Sequence, residues 1–187
     1  MARANKNVIL SHLSGTIGNQ VTVRNYGDRT IVSQKQQKTK IKATEKQKVA
    51  RMSFQDAAER ARMLMEDPDI KALYQAAATP GVNAYNIALK DAYHAPEIIS
   101  INTDNYRGKT RDTITVRAYD AFRVFRVTVA IYNADNVLVE EGNALINRNA
   151  KDWTYTATSD HPGAKGSIVR VMAEDIPGNE TSGEIVI

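Results

Sequence analysis

Five aspartates in the second half of the chain, Asp120, Asp135, Asp152, Asp160 and Asp175, sit at the ends of alternating apolar segments or in the polar turns between them. Asp120 closes the run Thr115 to Asp120, and Asp175 closes another, shortly before Asn179. Carboxylate and amide oxygens gathered at one rim of a β-sandwich are the donors a hard cation such as calcium takes. Asp120, Asp175 and Asn179 are therefore the candidate calcium ligands. The competing reading is structural, because Asp and Asn end strands by accepting nearby backbone N–H groups. No contiguous calcium loop is present.

Little else could carry chemistry. His12, His94 and His161 are scattered over a hairpin, a helix end and a loop, and do not read as a zinc or general-base cluster. The chain has no cysteine, which excludes disulfides, thiolate metal sites and a cysteine nucleophile. There is no glycine-rich phosphate loop, no Gly-x-Ser-x-Gly and no paired-carboxylate motif. Neither enzymatic activity nor a cofactor is expected. Trp153 could offer a sugar platform, but Tyr155 and Ala157 follow it at strand period on one face, so it reads as a core anchor.

Charge is the second signal. The net charge of +4 is unevenly spread: residues 1–60 carry +8, residues 61–96 carry −1 and residues 97–187 carry −3. Lys35, Lys38, Lys40 and Lys42, continuing through Lys46, Lys48 and Arg51, form a cationic stretch. Such a stretch can track phosphates, yet no aromatic residue interleaves with it for base stacking. It also suits a contact with an acidic partner surface.

The elements that would position these groups follow from periodicity. Residues 1–43 read as a β-hairpin and basic arm. Ile17, Val21 and Val23 share an alternating face, Asn25-Tyr26-Gly27-Asp28 supplies the turn, and Ile31-Val32 lie on the return. Residues 44–96 read as three short helices. Thr44 with Gln47 forms a capping box, Asp67-Pro68 starts the second helix, and Asn83 caps a third over about 84–93. Val49, Met52, Ala57, Ala61 and Leu64, widened by Phe54, Ala58 and Met65, make the first helix's apolar stripe. Ile70, Leu73, Tyr74 and Ala77 make that of the second, and Ile87, Ala88 and Ala92 that of the third. Residues 97–187 read as short strands with inward Ile114, Val116 and Ala118, then Phe125, Val127, Val129 and Ile131, then Trp153 and Tyr155, Val169, Val171 and Ala173, Ile185 and Ile187. The predicted class is an α+β N-terminal region followed by an all-β immunoglobulin-like sandwich.

The segments Thr115-Val116-Arg117-Ala118-Tyr119-Asp120, Trp153-Thr154-Tyr155-Thr156-Ala157 and Val171-Met172-Ala173-Glu174-Asp175-Ile176-Pro177-Gly178-Asn179 resemble those of bacterial Ig-like domains. The whole chain resembles uncharacterised bacterial proteins with a strand and helix N-terminal region and one C-terminal Ig-like domain. Its Leu13-Ser14-Gly15-Thr16-Ile17-Gly18 and Thr44-Glu45-Lys46-Gln47 segments carry that likeness. The resemblance implies a layout and no site.

The N-terminal half is too poor in apolar residues to stand alone, since an isolated hairpin is marginal in water. The expected function is that of a non-enzymatic assembly protein, a filament, sheath or particle subunit displaying the sandwich. It would be a homo-oligomer joined by strand addition. Ile17, Val21, Val23, Ile31 and Val32 would dock, and Lys35, Lys38, Lys40 and Lys42 would meet an acidic neighbour. A nucleic-acid-associated protein using residues 34–51 is the alternative; a calcium- or glycan-binding display module is a second one. No run approaches the roughly 20 apolar residues of a membrane span, and no signal peptide is read at the N-terminus. Synthesis in the cytoplasm is expected, with any surface or extracellular destination reached by a non-classical route.

Overall fold

The computed structural model describes residues 2–4, 10, 13–26, 29–36 and 42–187. The chain is α+β, with three helices and predominantly antiparallel sheets.

The N-terminal sheet has four strands rather than a single hairpin. Strands β1 (Ala2–Ala4), β2 (Gly15–Ile17), β3 (Val21–Tyr26) and β4 (Arg29–Gln34) run antiparallel in the order β1-β4-β3-β2. The extra turn comes between Ile17 and Val21, where Gly18 (φ 57°) and Asn19 (φ 58°) both take the left-handed conformation. Asn19 therefore turns the chain instead of interrupting one continuous strand. Pairing of Ile17 with Val21, Gly15 with Val23, and Val23 with Val32 puts Ile17, Val21, Val23 and Val32 on one face. Ile31 pairs with Arg24 and lies on the opposite face, so the five proposed docking residues do not form one surface. Val23 is buried, and Asn25 Nδ2 donates to the Leu13 carbonyl as the preceding segment folds back.

Helix α1 (Glu45–Leu64) starts at the expected capping box. Thr44 accepts from the Gln47 amide and the Gln47 side chain accepts from the Thr44 amide. It is twenty residues long, not short. Only its C-terminal half is covered: Ala57 and Ala61 are buried, whereas Val49, Met52 and Phe54 of the predicted stripe are more than half exposed. Helix α2 (Pro68–Ala76) is capped by Asp67, and α3 (Ala84–Tyr93) by Asn83. On α2, Tyr74 is buried and Ile70 half-buried, but Leu73 and Ala77 face solvent. A nine-residue helix packed mainly against α3 covers a narrower stripe than its periodicity offers.

The C-terminal half is sandwich-like. One sheet orders β5 (Glu97–Asn102), β6 (Thr113–Tyr119), β10 (Asp152–Thr156) and β9 (Leu145–Ile146) as β5-β6-β10-β9. The other orders β12 (Glu180–Val186), β11 (Ile168–Asp175), β7 (Val124–Tyr132) and β8 (Leu138–Asn143) as β12-β11-β7-β8. Ile114, Val116, Trp153 and Tyr155 of the first sheet share one core with Val127, Val129, Ile131, Val169, Val171 and Ala173 of the second. Phe125 was expected in that core and is exposed. Glu174 pairs with Arg126 but Asp175 with Val124, so Phe125 is the extra residue of a β-bulge that turns its ring outward and brings Val124 to the core.

Candidate metal centre

The helices and the sandwich meet at one end of the sheets. Ala61, Tyr74 and Ala88 form a small core onto which Phe122, from the β6–β7 turn, and Ile176, from the β11–β12 turn, pack. The Tyr74 and Phe122 rings lie 4.6 Å apart between centroids.

Three carboxylates are enclosed at this junction. Asp91 comes from the last turn of α3, Asp120 follows β6, and Asp175 ends β11. Their exposures are 0%, 8% and 1%, and one oxygen of each lies within 4.8 Å of the others. Each is also held by its own local bonds. The Tyr74 hydroxyl donates to Asp91 Oδ2 at 2.5 Å. The amides of Phe122 and Arg123 donate to Asp120 Oδ2 at 2.8 and 3.0 Å. The Asn179 amide donates to Asp175 Oδ1 at 2.6 Å, and Asn179 Nδ2 to Asp175 Oδ2 at 2.7 Å. Asn179 also ties the elements together, because its Nδ2 reaches the Asp91 and Ala92 carbonyls and its Oδ1 accepts from Arg60 Nη1 of α1 at 2.6 Å.

This leaves Asp91 Oδ1 and Asp120 Oδ1 buried with no donor. Burial pushes the Asp91 carboxyl up to about 8 against the lowering effect of the Tyr74 hydroxyl, and a proton shared with Asp120 and the charges of Asp120 and Asp175 add to the rise. Burial also raises Asp175 against the bonds from Asn179. Tyr74 is pushed well above the usual phenol range, first by burial and then by Asp91, so it stays a donor. The arrangement can hold a hard cation or a shared proton. It presents no nucleophile beside a base.

The three predicted calcium ligands, Asp120, Asp175 and Asn179, are brought to one place, with Asn179 clamping Asp175 and bonded to Arg60. Sequence reasoning missed Asp91, Tyr74's bond to it and Arg60. A usable signal existed: Asp91 stands three residues after Ala88 and beside Ala92 on the face of α3 that the period assigns inward. The other aspartates take the local, structural role. Asp152 pairs with Arg117 and Asn149, Asp160 accepts from Thr110, and Asp135 lies in a turn held by Asn133. His161 bonds Ser167, and His94 stacks edge-on to Tyr93; His12 lies outside the described residues. Trp153 is buried, with Tyr155, in the core.

Among the proposed docking residues, Ile17 is half exposed, while Val21, Ile31 and Val32 are partly covered. Lys35 bonds Asn19 across the sheet end and Lys42 is exposed. Lys38 and Lys40 lie outside the described residues.

No family model and no curated protein matches the chain. Solved structures to which it is similar include CopC from Methylosinus trichosporium OB3b, at 14% identity and TM-score 0.35, with 48% of this chain and 87% of that one covered. An engineered protein is similar at 13% identity and TM-score 0.34, with 58% of this chain and 29% of that one covered. At these TM-scores neither likeness bears on fold or function.

Proposed function

We propose that this protein is a non-enzymatic assembly subunit whose N-terminal half associates with other copies of the chain and whose C-terminal half is an immunoglobulin-like display module. The order β5-β6-β10-β9 facing β12-β11-β7-β8 supports the second part. It corresponds to strands A-B-E-D against G-F-C plus one added edge strand, the arrangement of immunoglobulin sandwiches.

The observation that carries the first part is the apolar surface left open on α1 and the N-terminal sheet. Val49 and Met52 on the first half of α1, and Ile17 on the edge strand β2, are all at least half exposed. Among the described residues, the strands of that sheet pack chiefly on one another rather than on the helices or the sandwich. A four-stranded sheet with an open edge offers unpaired amides and carbonyls to a further strand. A second copy is the favoured occupant because residues 1–60 carry +8 and residues 97–187 carry −3, a head-to-tail complement. A heterologous contact of that kind grows into filaments unless its rotation closes a ring.

Negative-stain microscopy of the purified chain, beside the Met52→Glu and Ile17→Lys variants, tests this. Regular assemblies of the wild type that the variants lose support it. Uniform monomeric particles for all three overturn it.

A further inference from the structure

We infer that Asp91, Asp120 and Asp175 form a calcium site that locks the helical region onto the end of the sandwich. Three observations converge on it, independently of the assembly reading.

First, the donors come from three separate elements, yet one oxygen of each lies within 4.8 Å of the other two. Calcium binds oxygen at about 2.3–2.6 Å, so the ligand oxygens of one ion lie up to about 5 Å apart. Magnesium, at about 2.0–2.1 Å, wants a tighter cage and keeps several waters, which suits this enclosed place less well.

Second, two of the oxygens, Asp91 Oδ1 and Asp120 Oδ1, belong to side chains more than nine-tenths buried and accept from no N–H or hydroxyl, so that without an ion only a proton shared between the two carboxyls can serve them. Buried polar atoms without partners are rare in folded proteins and call for an occupant such as an ion. The remaining carboxylate oxygens are already oriented by Tyr74, Phe122, Arg123 and Asn179, as ligand carboxylates are in metal sites.

Third, no direct ion pair neutralises the charge. Among the described residues no lysine or arginine forms an ion pair with any of the three. Arg60 is spent on the Asn179 amide oxygen. The C-terminal end of α3, where Asp91 sits, adds the negative end of a helix dipole. Burying even one uncompensated carboxylate costs several kcal/mol, a cost that a bound cation offsets for all three and that Asp91 otherwise escapes only by keeping its proton. Two clefts open beside Asp120, one lined by Lys90, His94, Glu97 and Tyr119, the other by Phe122, Arg123, Ile146 and Trp153.

The test uses the full chain stripped with chelator and dialysed near pH 7.5. Calcium chloride should raise its unfolding midpoint by about 5–10 °C at a hundredfold excess over Kd. Magnesium should do much less. Terbium should give luminescence sensitised by Tyr74, which is bonded to a ligand, and calcium should compete it away. Asp120→Asn should lose both responses while folding, because it keeps the Oδ2-side geometry and removes a buried charge. If the stripped wild type shows neither a calcium-dependent midpoint nor calcium-competed terbium emission, the site holds a shared proton and the inference fails. It fails equally if Asp120→Asn retains both responses in full.

Discussion

Arg60 and Asn179 stand 119 residues apart and share a hydrogen bond of 2.6 Å between the guanidinium Nη1 and the amide Oδ1. The same amide, through Nδ2, reaches the Asp91 and Ala92 carbonyls and the Asp175 carboxylate. One side chain in the β11–β12 turn therefore joins α1, the end of α3 and the sheet. Asn179→Ala should cost about 2–3 kcal/mol, since it strands several part-buried partners at once. Urea unfolding should record that loss. Calorimetry should show the single transition broadening or splitting as helices and sandwich uncouple.

Tyr74→Phe keeps the ring that packs on Phe122 and removes only the hydroxyl that serves Asp91. A destabilisation of about 1–3 kcal/mol is expected, the cost of leaving a buried acceptor unsatisfied. Tyr74→Phe should also dim terbium emission while preserving the calcium-dependent midpoint. A drop below measurement error would mean that the Asp91 carboxyl finds another donor.

The pH dependence of the metal-free protein follows from Asp91, which faces Tyr74, Asp120, Asp175 and Asn179. Its folded-state value of about 8 lies above the ordinary 3.8. A carboxyl raised in this way holds its proton more tightly when folded, so its contribution to stability is full below about pH 4. That contribution is lost as pH climbs toward about 8. Chelator-treated protein should therefore weaken across this range, and Asp91→Asn should flatten the slope. Thermal midpoints taken at intervals of pH, with chelator throughout, measure both.

Two glycines of the sandwich loops separate crowding from conformation. Gly108 has φ of 82°, and a Cβ placed there would stand 2.2 Å from the His161 carbonyl oxygen. Gly163 has φ of 114° with open space around it. Gly108→Ala should cost more than about 3 kcal/mol, because backbone must move. Gly163→Ala should cost about 1–2 kcal/mol, the conformational term alone. Equal values by urea unfolding would show that the loop between Tyr106 and Asp112 is free to shift.

Much of this architecture was legible in the chain because its cues are local. Thr44 with Gln47, Asp67 with Pro68, and Asn83 each begin a helix through bonds made within a few residues. The inward sets of β6 and β11 follow from simple alternation. What escaped depends on pairing or on distant partners. Phe125 left the core because β7 bulges opposite β11, and no feature of β7 alone announces that. Ile31 and Val32, being adjacent in a strand, must take opposite faces, but which of them joins Val21 and Val23 is known only from register with β3. Of the acidic cluster, Asp120, Asp175 and Asn179 could be grouped because strand ends recur at one rim. Asp91 enters from a helix that docks there, and only docking reveals it.

In the proposed assembly the N-terminal half needs a second copy to cover its open apolar surface. Sedimentation velocity of the intact chain over a hundredfold range of concentration, alongside the Met52→Glu variant, addresses this most directly. Self-association predicts a mass-action shift of the wild type from monomer to larger species, steepest at low salt, and a variant that stays monomeric. A wild type that sediments as a monomer throughout, at low and high salt alike, would contradict it.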